Sequence, residues 1–173
     1  MALREIRKEG DSALRKVCRP FVDFNTHLHT LLDDMRDTLA EANGVGLAAP
    51  QVGVLRRAVL VEETNVPEDE EPYYIELVNP EIIEGDGEQV GPEGCLSLPG
   101  IYGRVSRPLT VRVRAFDRNG AAFELEGTGL TARAICHELD HLDGNLFLDI
   151  SDHLYSEEEL EDISTDREAE EDE

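Results

Sequence analysis

Apolar residues at steps of three and four mark one clear helix in the first third of the chain. Leu28, Leu31, Leu32, Met35 and Leu39 form its inner stripe, and Asp33, Asp34, Arg36 and Asp37 are assigned to the outer face. Asn25 stands where an N-cap belongs, and Asn43-Gly44 closes the segment. Ahead of it, Asp11 and Ser12 can cap one or two turns before Pro20. From Arg57 the period falls to two and β-branched residues accumulate: Val59-Leu60-Val61, then Tyr73 to Val78, after an acidic, Pro-containing loop from Glu62 to Pro72. Thr110 to Phe116 alternates Val111, Val113 and Ala115 with Arg112 and Arg114. The Asp117-Arg118-Asn119-Gly120 turn then leads to a strand with Phe123 and Leu125. No helix long enough for a parallel crossover separates these strands, so antiparallel hairpins are predicted. A second helix is predicted over Leu130 to Leu142, with Gly144 just past its end.

That second helix carries the chemistry. His137-Glu138-Leu139-Asp140-His141 is an H-E-x-x-H sequence, and residues three and four apart share a helix face. Ala134, His137, Glu138 and His141 therefore look one way, while Ile135, Leu139 and Leu142 form an apolar back. Two imidazoles so placed can bind one metal, and the adjacent carboxylate can act as general base on a water beside it. A catalytic site needs a third protein ligand. Cys95, in the Gly-flanked turn Glu93-Gly94-Cys95-Leu96-Ser97-Leu98-Pro99-Gly100, is the thiol best placed for it. Cys136 points about a quarter-turn from His137 and Cys18 sits beside Pro20, so both read as buried thiols. His27 and His29 lie two apart on the first helix and cannot share a metal, and His153 falls in the acidic tail. Gly44-Val45-Gly46-Leu47-Ala48-Ala49-Pro50-Gln51 reads as a tight loop. Its small residues would let backbone approach a ligand, and Gln51 brings an amide donor.

Length and composition narrow the setting. The 173 residues suffice for one domain, with no room for a second enzyme domain. A formal charge of -23 argues against DNA or an anionic membrane as partner. About half of that excess lies between Asp152 and Glu173, where twelve acids face one Arg. Three cysteines do not make a disulfide framework and suit a reducing compartment. The N-terminus lacks the apolar core of a signal peptide, and no apolar run reaches the roughly 18 to 20 residues needed to span a bilayer. A cytoplasmic protein is expected, with a catalytic unit over 1–150 and an acidic tail over 151–173 that is partly helical or disordered. A helix can start after Ser156.

Three motifs in order, GVGLAAPQ at 44 to 51, EGCLS at 93 to 97 and HELDH at 137 to 141, make the chain resemble the peptide deformylases. Those enzymes remove the formyl group from the N-terminal methionine of nascent polypeptides. The resemblance runs from about Met1 to Ile150. It departs from the family at Cys136, where a Gln often precedes the first His, and in the acidic tail.

The resemblance implies an α+β fold with antiparallel sheets around the metal-bearing helix. It also implies Cys95, His137 and His141 as metal ligands and Glu138 as general acid and base. Gln51 and the backbone N–H of Leu96 would receive the oxyanion, Gly46 would hold the substrate backbone, and Val45, Leu130 and Ala134 would line the methionine pocket. It implies Fe²⁺ in cells, with Zn²⁺, Ni²⁺ or Co²⁺ also able to bind and zinc working poorly. The substrates would be N-formyl-methionyl nascent peptides. Some relatives dock on the ribosome through a basic C-terminal helix, which the tail acids here preclude. Two other readings remain open on the residues alone. A general metallopeptidase would draw its third ligand from Glu or His, and a structural metal site would be closed by four protein ligands.

Overall fold

The computed structural model describes residues 2–163. After a single 3-10 turn at Ser12–Arg15, whose N-cap Asp11 accepts from the Ala13 N–H, the chain forms helix α1 (Thr26–Ala42). Asn25 Oδ1 accepts from the Leu28 N–H at 3.3 Å, and Asn43 ends the helix in the left-handed conformation. Strands β1 (Gly46–Ala48), β2 (Ala58–Glu63) and β3 (Tyr73–Asp86) follow, then β4 (Gln89–Cys95), β5 (Leu98–Arg107), β6 (Thr110–Phe116) and β7 (Ala122–Thr128). Helix α2 (Leu130–Leu142), strand β8 (His153–Ser156) and a helix α3 (157–163) complete the described chain. Five strands in the order β1-β2-β3-β6-β7 make one sheet and β4-β5-β8 the other. Every neighbouring pair is antiparallel. The fold is α+β.

Helices α1 and α2 pack on opposite faces of the larger sheet. Ala58 and Leu60 of β2 join the stripe of α1, whereas Val59 and Val61 join Ile135, Leu139 and Leu142 of α2. A strand covered on both faces reads as an unbroken apolar run, which is why Ala58-Val59-Leu60-Val61 shows no polar alternation. Ile135 and Leu142 are fully buried, each stabilising the fold by about 1.5–3 kcal/mol relative to exposure. They anchor the back of α2 and so present its other face to the space between the two sheets.

Three features differ from the pattern-based expectation. Asp34 is buried rather than outward, because the N-terminal segment crosses α1. Arg4 pairs with its carboxylate at 2.9 Å, and the Ala2 N–H donates to it at 3.1 Å. The stretch 44–51 is not a simple loop but strand β1 followed by a 3-10 turn, Ala49–Val52. Strands β4, β5 and β8 were not marked by alternation. Among the described residues, Leu98 and Val105 of their small sheet bury only against Leu146 and Phe147 as a separate cluster, and β4 and β5 are rich in Gly and Pro, so pairing rather than side-chain periodicity defines them.

Candidate active site

Cys95 ends β4, where Leu96 and Ser97 reverse the chain so that Cys95 pairs with Leu98 of β5. The turn delivers the thiol to α2. Cys95 Sγ lies 3.4 Å from His141 Nε2, and one ligand atom from each of Cys95, His137 and His141 falls within 4.8 Å of the others. Tetrahedral zinc bonded to one sulfur and two nitrogens holds its donors about 3.3–3.6 Å apart. The set therefore fits a cation with little rearrangement. Burial, with the neighbouring His137 and Arg107, lowers the His141 pKa to about 3. Its imidazole is neutral at physiological pH, as a ligand must be. His137 behaves oppositely. Burial opposes its charge, but hydrogen bonds to Cys95 and Glu93 and the charge of Glu138 raise its pKa well above 6.5. A cation would replace that proton at Nε2 and leave Nδ1 to donate to Glu93.

Glu138 stands beside the three donors. It is 4% exposed, its Oε1 is 4.0 Å from His137 Nε2, and its Oε2 has no hydrogen-bond partner among the described residues. Burial above all raises its pKa to about 7, with His137 pulling the other way, close to the optimum for a general base at neutral pH. Gly46 makes room for it. A Cβ at position 46 would come within 2.7 Å of Glu138 Oε1 and 2.9 Å of its Cγ, so any side chain there displaces the carboxylate.

Gln51 closes the other side. Its Oε1 accepts from the Ala48 N–H at 2.9 Å, which fixes the amide. Its Nε2 then donates to Ser97 Oγ at 3.1 Å and lies 3.5 Å from Cys95 Sγ. Above this floor opens a cavity of about 590 Å³, lined among others by Val45, Gly46, Leu96, Leu130 and Ala134. The candidate residues thus come together. Cys18 and Cys136 do not; both are buried in the core cluster that joins α2 to the larger sheet. His29 Nε2 lies 2.7 Å from the Arg118 carbonyl oxygen and His153 packs on Tyr155, both apart from the site.

The family model for polypeptide deformylase matches residues 3–157. The chain belongs to the polypeptide deformylase family. It is a hydrolase that removes the N-formyl group of nascent peptides; the family is metal-dependent, and the Cys/His cluster is a group that could hold a metal ion. A peptide deformylase of Caldanaerobacter subterraneus is 50% identical over 163 residues, spanning 94% of this chain and 98% of that protein. The crystal structure of a peptide deformylase from Legionella pneumophila is 43% identical, with a TM-score of 0.79 over 92% of this chain and 89% of that one. A deformylase of Acinetobacter baumannii bound to Met-Ala-Ser is 36% identical, with a TM-score of 0.80 over 86% and 99% of the two chains.

Sequence reasoning missed the group that orients His137 in this deformylase site. Glu93 accepts at Oε1 from His137 Nδ1 at 2.7 Å. Arg107 grips it through two nitrogens at 2.8 and 2.9 Å, and Arg133 binds it at 2.7 Å. Arg107 also reaches Asp140 of the helix at 2.7 Å. Burial would raise the Glu93 pKa, but the hydrogen bonds from Arg107 and His137 outweigh it and lower it to about 2. Its ionised form favours folding fully above about pH 4.5, and that contribution fades as the pH falls towards 2. A signal was available. Glu93 and Cys95 are two apart in a strand and share a face, and a metal-binding His commonly gives its second N–H to a carboxylate. Glu93→Ala is expected to weaken metal binding about 10- to 100-fold while the ligands remain; unchanged affinity in a competition with a chelator would remove Glu93 from that role.

Proposed function

We propose that Cys95, His137 and His141 hold one divalent cation, that Glu138 moves the protons, and that Gln51 and the Leu96 N–H receive the oxyanion. The observation that carries this reading is the convergence of three ligand atoms beside a buried carboxylate oxygen with no partner among the described residues. A divalent cation held by Cys95, His137 and His141 would supply Lewis acidity, lowering the pKa of a water towards 7 and polarising the formyl carbonyl. Glu138 takes the proton from the attacking water and delivers it to the departing amine, leaving formate and a free amino terminus. The soft thiolate with two imidazoles suits iron, zinc, nickel or cobalt, with Fe²⁺ the form proposed in cells.

The peptide binds as an added strand. The Val45 carbonyl takes the Glu62 N–H at 2.8 Å, so by antiparallel alternation the backbone groups of Gly46 face away from β2 and into the cleft. Strand β4 is the facing edge of the smaller sheet. A substrate between them can pair with backbone, independent of sequence, while Val45, Leu130 and Ala134 enclose the methionine side chain. Loading the anaerobically purified protein with Fe²⁺ and supplying a formyl-Met peptide tests the reading. Formate release is expected; cleavage of an internal peptide bond instead would make the site a peptidase.

Gln51→Ala is expected to cost turnover about 10²–10³-fold with product affinity little changed, since its donor matters most once the oxyanion exists. Equal losses in kcat and in product affinity would make Gln51 a ground-state binding residue. The segment after β8 is proposed to be dispensable for chemistry, with residues 1–150 as the catalytic unit. Its acids exclude docking on ribosomal RNA through a basic helix, so any encounter with the ribosome uses another surface. Because β8 pairs with β5, the cut belongs after Ser156. Turnover of an uncharged formyl-Met peptide is expected to stay within about twofold, a surface-scale effect; a larger loss would tie the tail to the chemistry. No helix of the described residues is long and apolar enough to cross a membrane, and a cytoplasmic setting is proposed from the three unpaired cysteines.

A further inference from the structure

Besides Glu138 and the Glu93–Arg133 pair behind His137, the cavity is bordered by two charged side chains, Lys8 and Glu157. They differ in what they already do. Lys8 Nζ donates to the Leu96 carbonyl at 3.1 Å. Glu157 is exposed and has no ion pair among the described residues. Its place is nevertheless defined from both sides. Strand β8 pairs Tyr155 with Tyr102 and Ser156 with Ile101. Ser156 Oγ then accepts from the Glu159 N–H at 3.2 Å, starting α3 at residue 157. Further along α3, Leu160 and Ile163 border a hollow of about 220 Å³ with Val90 and Pro92 of β4. Pro92 lines the substrate cavity as well, so Glu157 stands on the β4 side of the cleft.

We propose that Glu157 makes this enzyme favour formylated peptides with Lys or Arg in the residues just after the methionine. This rests on the deformylase reading of the same cleft. A peptide laid along the β4 edge carries its second and third side chains past the rim, where the exposed Glu157 carboxylate, without an ion pair among the described residues, attracts a cation and repels an acid. The contact is exposed, so the selection is modest, about three- to fivefold in kcat/KM for Lys over Glu at low salt. It acts through KM, because the reacting atoms lie at the cavity floor.

The test uses the full-length, metal-loaded protein and formate release from formyl-Met-Lys-Ala, formyl-Met-Ala-Lys and their Glu counterparts. Lys is expected to be preferred at one or both positions, mainly in KM, and the preference to shrink towards unity in 1 M salt. Glu157→Gln should abolish it and Glu157→Lys reverse it. Glu158→Gln, which removes the same charge one residue along, should keep it. Equal rates for Lys and Glu peptides at both positions overturn the proposal, as does a preference that survives Glu157→Gln or falls equally in Glu158→Gln. Failure of every peptide to release formate would instead strike at the deformylase reading.

Discussion

Glu138→Gln is expected to retain its metal and to lose turnover by about 10²–10⁴-fold. The amide matches the carboxylate in shape, so it keeps the packing against Gly46 and leaves Cys95, His137 and His141 where they are. What disappears is the base. A second consequence separates this from misfolding. Burial raises the Glu138 pKa from 4.5 to about 7, so ionising this group opposes folding. The penalty is absent below about pH 4.5, grows as the pH rises, and is complete above about 7. Metal-free Glu138→Gln should therefore melt higher than the parent at pH 8, and the gain should vanish below about pH 4.5. Near-normal formate release by a fully metallated Glu138→Gln protein would refute the assigned role.

Loss of a ligand should be equally severe. Cys95→Ala, His137→Ala and His141→Ala are each expected to weaken metal binding by more than about 100-fold, beyond the cost of losing a supporting contact such as Glu93. Turnover should fall with metal content. Cys18→Ala and Cys136→Ala should bind metal as the parent does. Both thiols lie in the core, and burial pushes that of Cys136 up to about 11, so almost none is thiolate at neutral pH. Elemental analysis of the five purified variants decides it, and loss of metal on Cys136→Ala with retention on Cys95→Ala would transfer the third ligand.

The ligand-bearing helix could be read from the chain because its period of 3.6 fixes both an apolar back and a chemical front. Helix α1 and strands β2, β6 and β7 were legible for the same reason, having one or two faces in the main core. The smaller sheet was not. Among the described residues its core cluster has only four buried apolar members, β4 and β5 form a hairpin whose Gly and Pro residues blur any alternation, and the pairing of β5 with the distant β8 leaves no periodic trace. Asp34 was misplaced because helical periodicity says nothing of a segment that later crosses the helix. The roles of Arg107 and Arg133 were hidden likewise. Arg107 comes from the partner strand of the β4–β5 hairpin and Arg133 from α2, and only the fold brings the two guanidinium groups to one carboxylate.

The central claim is a cation held by one thiolate and two imidazoles with a position left open for chemistry. X-ray absorption at the metal edge of the iron- or zinc-loaded protein tests this most directly. The zinc form should show one sulfur neighbour at about 2.3 Å, two imidazole nitrogens at about 2.0–2.1 Å and one light atom from solvent. Cys95→Ala should lose the sulfur shell, and Cys136→Ala should keep it. A first shell without sulfur, or one filled by four protein ligands, would contradict the account.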